Sequence, residues 1–181
     1  LNPEIAWNYG ASLQQEFRLF GNTSMIVADF FRTDFQDQVL ADLDISPNKI
    51  VFYNLDGNSY ANSFQTQLDF VPAKNLELRL AYKYYDVQAD FSGGKREIPF
   101  MAKNRGFFNV SYATDKNDKG AFWSFDTTLQ LVGKQKLPNL NANPAEFRLP
   151  EYSDSFATLN AQISRNFNEN IRVYLREENL T

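Results

Sequence analysis

The side chains that most often carry catalysis are missing from this chain. Its 181 residues include no histidine and no cysteine. That removes the commonest general base and the thiolate nucleophile, and with them any Ser-His-Asp or Cys-His arrangement. Thiolate zinc sites, iron–sulfur clusters and disulfides go with the cysteines. Carboxylates remain, 22 Asp and Glu against 18 Lys and Arg, for a net charge of -4. With so many acids, the separation that would define a glycosidase pair cannot be read from spacing. Asp34, Asp37, Asp42 and Asp44 form an acidic run that could offer calcium its oxygen ligands. The spacing does not fit an EF-hand loop, and a solvated rim is the preferred reading. Ser92-Gly93-Gly94-Lys95 lacks the spacing of a phosphate-binding loop. The acidic balance argues against a general nucleic-acid binder, which needs clustered cations. No catalytic residue, metal site or cofactor is expected.

The polar residues are organised by a period of two. Ala11, Leu13, Phe17 and Leu19 alternate with Ser12, Gln14, Glu16 and Arg18. Phe64, Thr66, Leu68 and Phe70 oppose Gln65, Gln67 and Asp69. Leu76, Leu78, Leu80, Tyr82 and Tyr84 oppose Glu77, Arg79, Ala81 and Lys83. The same alternation runs through Trp123–Leu131, Ala157–Ser164 and Ile171–Arg176. A helix would repeat at three and four instead. Weaker segments lie at Met25–Leu40, where adjacent Phe30 and Phe31 suggest a bulge or a rim position, and at Arg105–Ala113. Aromatics near segment ends include Phe20, Tyr60, Phe64, Tyr82, Tyr84, Phe91, Trp123, Phe125 and Tyr174. Interfacial girdles and ordinary strand preference both explain them.

The links between these eight segments alternate in length. Short links at Phe20–Thr23, Pro72–Asn75, Thr114–Gly120 and Phe167–Asn170 alternate with long ones at Ala41–Lys49, Gln88–Lys103 and Pro138–Ser153. Outer-membrane barrels keep this rhythm, with tight periplasmic turns and long external loops. Several segments reach the roughly 9 to 11 residues that cross a bilayer, and none approaches the roughly 20 apolar residues of a membrane helix. Hydrophobic residues make up 43% while mean hydropathy is -0.47, the mixture of a wall with one lipid face and one water face. The expected fold is all-β, an antiparallel transmembrane barrel of about eight consecutive strands. A soluble antiparallel sandwich is the alternative. Eight strands could close alone, but complete barrels of this type begin and end in the periplasm, so their first connection is long. Here it is short. No signal peptide opens the chain, and no terminal aromatic closes it. A fragment of a larger barrel is therefore expected.

Several stretches resemble the β-barrel of TonB-dependent outer-membrane receptors, particularly those of Bacteroidetes-type bacteria. Leu1-Asn2-Pro3-Glu4 with Asn8-Tyr9-Gly10 is similar to the family's PE…NYE segment. Phe30-Phe31-Arg32-Thr33-Asp34-Phe35 resembles its next strand, leading to a DQV at residues 37–39. Phe52-Tyr53-Asn54-Leu55-Asp56-Gly57 resembles a YxNxxG strand, with Ser63 where a small residue is usual. Tyr174–Thr181 resembles a YLGxENLT strand near the barrel's end, with Arg176 in place of glycine. The matches span the chain in family order.

The resemblance implies that residues 1–181 are the C-terminal portion of such a barrel, with the plug domain before them and the closing strands after. It implies a Gram-negative outer membrane, contact with lipid and lipopolysaccharide, and energy from the TonB complex through the plug. The implied cargo is a scarce solute (siderophore, vitamin, metal chelate, glycan or peptide), with a surface lipoprotein as a further candidate partner. A passive porin or structural barrel is the alternative. The lumen-facing set is Glu16, Arg18, Gln65, Gln67, Asp69, Glu77, Arg79, Lys83, Asp126 and Gln130. Binding residues concentrate on loops, so the substrate contacts expected there are Lys95, Arg96, Glu97, Tyr152 and Asp154.

Overall fold

The computed structural model describes residues 1–46, 48–91, 94–141 and 143–180. Its strands are β1 (Ile5–Leu19), β2 (Asn22–Gln36), β3 (Val39–Ser46), β4 (Lys49–Asn54), β5 (Ser59–Ala73) and β6 (Leu76–Phe91). They continue with β7 (Gly94–Glu97), β8 (Asn104–Ala113), β9 (Phe122–Val132), β10 (Phe156–Asn166) and β11 (Arg172–Glu177). Eight of them form one antiparallel wall in the order β1-β2-β5-β6-β8-β9-β10-β11, so each pairs with its neighbour along the wall. The wall is open. β3 and β4 pair apart from it, and β7 extends the end of β6.

The eight wall strands are the eight segments expected from alternation. Three differences have physical causes. Met25–Leu40 is not one segment: Asp37 takes a left-handed φ of 54°, which ends β2 and lets Val39 begin β3. The links around 41–49 and 88–103 are not plain loops, because their own alternation builds β3, β4 and β7. Finally, no bulge occurs at Phe30 and Phe31, where pairing to both β1 and β5 runs without a shift. Phe31 faces Gly10 across the ladder, and a Cβ on that glycine would lie 2.5 Å from the Phe31 ring and 2.2 Å from the Phe30 carbonyl oxygen. The missing side chain makes room for the second phenylalanine, as glycine does wherever another group approaches a strand closely.

Tight turns close one end of the wall. Phe20 and Gly21 both take positive φ, 52° and 79°, the geometry of a two-residue hairpin turn that matches strand twist. Asn117 and Asn168 each accept two backbone N–H groups in their turns. The Asp115 carboxylate bridges adjacent turns, accepting from Lys74 Nζ at 2.8 Å and Asn75 Nδ2 at 2.7 Å.

Register carries the two faces across the whole wall. One row reads Gln15, Ile26, Leu68, Leu80, Phe108, Leu129 and Leu159. The next residue along each strand belongs to the other face, where a row reads Glu16, Met25, Asp69, Arg79, Asn109, Thr128 and Asn160. The apolar face has no second layer over it among the described residues: Leu13, Ile26, Phe64, Leu80, Phe125 and Leu131 are all exposed. Contiguous apolar surface of this extent is foreign to a soluble monomer, and a sandwich would have buried it. No described helix is long and apolar enough to cross a membrane. The strands are: 11 residues in β9 and β10 and 15 or 16 in β1, β2, β5 and β6, against the roughly 9 to 11 that a tilted strand needs.

Aromatics frame this band. Tyr112, Phe125 and Trp123 stack toward the short-turn end, at 6.4 and 6.5 Å between centroids. Phe30, Phe64 and Tyr84 share one row toward the long-link end. Two of the aromatics near segment ends lie outside this frame. Phe91 is buried among the long links, and Tyr174 pairs with Ser164 on the polar face.

Two predictions follow from register. Leu129→Arg places a guanidinium mid-band on the apolar face and should cost about 2–4 kcal/mol, whereas Gln130→Arg, one residue on, should be near neutral. Denaturant titration of the full-length protein in bilayers reads the difference, and equal effects would refute the assignment of faces. Gly10→Val should cost about 1–3 kcal/mol through overpacking, a loss that Phe31→Ala in the same chain should partly recover.

Candidate functional site

Ten polar residues expected to share a face do share it. Register joins Glu16, Asp69 and Arg79 in one row, Gln67 and Gln130 in the next, and Gln65 with Lys83 beyond. Arg18 lies opposite Thr23, and Glu77 connects through Ser111 to Asp126. Arg79 Nε donates to Asp69 at 2.5 Å, and Gln67 Nε2 donates to the other oxygen at 2.7 Å. Ser111 Oγ donates to Asp126 at 2.7 Å. Arg79 is half exposed, so the pair contributes no more than about 1 kcal/mol. Glu16, Asp69, Glu77, Arg79 and Asp126 line a groove of about 350 Å³ near the short turns. A second groove, of about 440 Å³, is lined by Gln130, Asn160, Arg172 and Arg176. The face can bind water and polar groups along its length.

The long links behave differently. They hold a cluster of buried apolar residues, Leu40, Leu55, Ala89 and Phe91, with Tyr53 and Ile98 packed against it. Asp42 sits beside this cluster with its side chain only 1% exposed. One of its oxygens accepts from Arg96 Nη2 at 2.9 Å and Tyr53 Oη at 3.0 Å, and the other from the Asp44 N–H at 3.0 Å. Arg96 also pairs with Asp44 through Nη1, and its guanidinium lies 4.1 Å from the centre of the Phe91 ring. Asp44 accepts the Asn139 N–H at 2.7 Å. One arginine and two aspartates thus join all three long links. Burial pushes the Asp42 carboxyl up, but the Asp44 N–H, the Tyr53 hydroxyl and the Arg96 charge outweigh it and hold the group below its ordinary value.

The acidic run is therefore not a solvated rim throughout. Asp37 is exposed, but Asp34 pairs with Arg32 and Tyr9 on the apolar-face side, and Asp42 and Asp44 hold Arg96. No group of acids that could hold a metal ion occurs among the described residues.

The five loop candidates do not converge. Lys95 is exposed and stands 5.0 Å over the Tyr60 ring, on the outward side of the wall. Arg96, its neighbour, points to the other side and is committed to the two aspartates. Glu97 pairs with Lys103. Tyr152 bridges to Lys136 in backbone and lies under its ammonium at 5.2 Å. Asp154 is exposed nearby. Sequence reasoning missed the Asp42–Arg96 pair, whose partners lie 54 residues apart. One signal was available: Leu40, Asp42 and Asp44 share a face of β3, and a carboxylate on a buried face needs a cation.

The lowered Asp42 value sets a pH dependence. A carboxylate held below its unfolded value of about 3.9 stabilises the links at pH above that value and stops doing so as pH falls through the folded one. The hydrogen-exchange protection of β3 and β4, taken relative to the intrinsic rate at each pH, should stay flat from pH 7 to about 4 and fall only below. Asp42→Asn should cost about 1–3 kcal/mol of local stability, below the full buried-pair figure because Arg96 is partly exposed, and should remove that acid step.

Residues 1–180 match the family model described as TonB dependent receptor-like, beta-barrel. No curated relative matches the chain. The family is one of receptors and transporters, and its model covers the wall strands and all three long links together. With an open antiparallel wall, one lipid-compatible face and one polar face, the chain belongs to the TonB-dependent receptor β-barrel family.

Proposed function

We propose that this chain forms wall and external mouth of an active transporter in the outer membrane of a Gram-negative bacterium, importing a scarce solute with energy delivered by TonB. The observation that carries the reading is the pairing of a continuous apolar face with a continuous polar face on one wall, topped by long links that pack their own core. In this reading the polar residues from Glu16 to Gln130 line the lumen, where they meet water and a plug supplied by the whole receptor. Residues 1–181 are then the C-terminal part of the barrel, and the order of family motifs favours the Bacteroidetes type. Arg32 and Lys95, both over Tyr60, lie just beyond the apolar band, at the level of lipopolysaccharide headgroups. Among loop residues, Tyr152 and Asp154 are exposed and free enough to touch solute, while Arg96 and Glu97 hold the links in place and Lys95 faces outward. The mouth is also where a surface lipoprotein would dock. The solute class stays as wide as siderophore, vitamin, metal chelate, glycan or peptide.

Cells carrying the full-length receptor should take up its solute under scarcity, and a protonophore or loss of TonB should abolish that uptake. Uptake that persists unchanged after either treatment would replace this reading with a passive porin.

A further inference from the structure

We propose that the β3–β4 hairpin is a fixed constriction of the mouth, fastened on the lumen side by Arg96, and not a lid that swings during transport. The inference rests on the reading of the polar face as lumen.

The side on which the hairpin lies follows from register. Ala89 follows Arg79 and Lys83 at even steps along β6, and pairing to β5 is unbroken from Leu78 to Ala89. Ala89 therefore belongs to the polar face. It is nonetheless fully buried, in the cluster that Leu40 and Leu55 of the hairpin and its exit build with Phe91. The hairpin is folded over the lumen side of the wall.

Its fastening runs from base to midpoint, and among the described residues only Arg96 grips both aspartates. At the base, the Glu4 carboxylate accepts the Val39 N–H at 3.2 Å, and Asn54 exchanges hydrogen bonds with the Asn2 backbone at 2.6 and 3.0 Å. Midway, Arg96 reaches from β7, itself paired to β6, and grips Asp42 and Asp44 together. From a third direction the Asn139 N–H meets Asp44. Swinging outward would strand a buried carboxylate and expose the apolar cluster at once, and both steps are costly. A moving lid is instead drawn from segments with few buried contacts. Arg96 acts as a positioning residue that sets the width of the mouth.

Two measurements on the full-length receptor in membranes test this. Spin labels at Ile50→Cys, near the hairpin tip, and Glu169→Cys, in a short turn, should report one narrow distance. Arg96→Glu, or the milder Arg96→Met where the first does not fold, should abolish that single distance. A broad distribution in the parent, or a narrow one surviving both substitutions, would overturn the proposal. Separately, Asp42→Cys and Arg96→Cys joined by a propane-length bis-methanethiosulfonate pin the hairpin to the wall. Solute uptake should continue at the parent rate when bridged. Loss of uptake on bridging, regained with reductant, would make the hairpin a lid. If the parent shows no energised uptake at all, the transport reading falls, while the spin-label distance still decides whether the hairpin is held.

Discussion

A polypeptide crossing a bilayer has no water to satisfy its backbone, so every N–H and C=O in the span must find a partner in the chain. The ladders of this wall answer that demand, with a register shift at Phe70–Ala73 beside a short turn. From Ile5 to Leu19, fifteen successive residues of β1 face partners on β2, and β2 repeats the arrangement with β5. Once pairing is continuous, the pleat carries one alternation across eight strands, and a shift by one residue in any of them would turn its charges to lipid. The placement of Phe31 over Gly10 is a local consequence. Two adjacent phenylalanines are accommodated by removing a Cβ, and the ladder stays whole.

Outside the band the constraint changes. There the chain meets water, and the long links can hold together only by building a core of their own. Leu40, Leu55, Ala89 and Phe91 supply it. The cluster is small, and a buried ionic group sits next to it. Asp42 is desolvated, and its cost is offset by three donors, one of them a guanidinium that also rests on Phe91. Buried pairs of this kind are weak contributors to net stability but costly to break. What they set here is geometry, because one arginine fixes where three links lie relative to the wall.

Seen together, the wall and the mouth divide the work. The wall separates lipid from water and needs only the right polarity on each side. Its polar face is knitted by short contacts such as Arg79–Asp69 and Ser111–Asp126. In the proposed transport reading, selectivity belongs to the mouth and rests on the shape of the links.

Alternation, link rhythm and composition were enough to place the wall strands, their two faces and the ten polar positions, because period two is a local property and register follows once neighbours pair. The short turns were legible for the same reason, through Gly21, Asn75 and Asn117. The extra strands β3, β4 and β7 were not, since short alternating stretches inside a long link look like irregular polar chain. Nor could the roles of Lys95 and Arg96 be told apart by type: adjacent cations on one strand face opposite sides, and only the position of β7 on β6 says which side holds the aspartates. The Asp42–Arg96 pair spans 54 residues and exists because folding brings two links together over Ala89. Sequence alone determined what could be local, the strands and their faces; tertiary structure decided which charges meet, since that depends on distances that no stretch of chain contains.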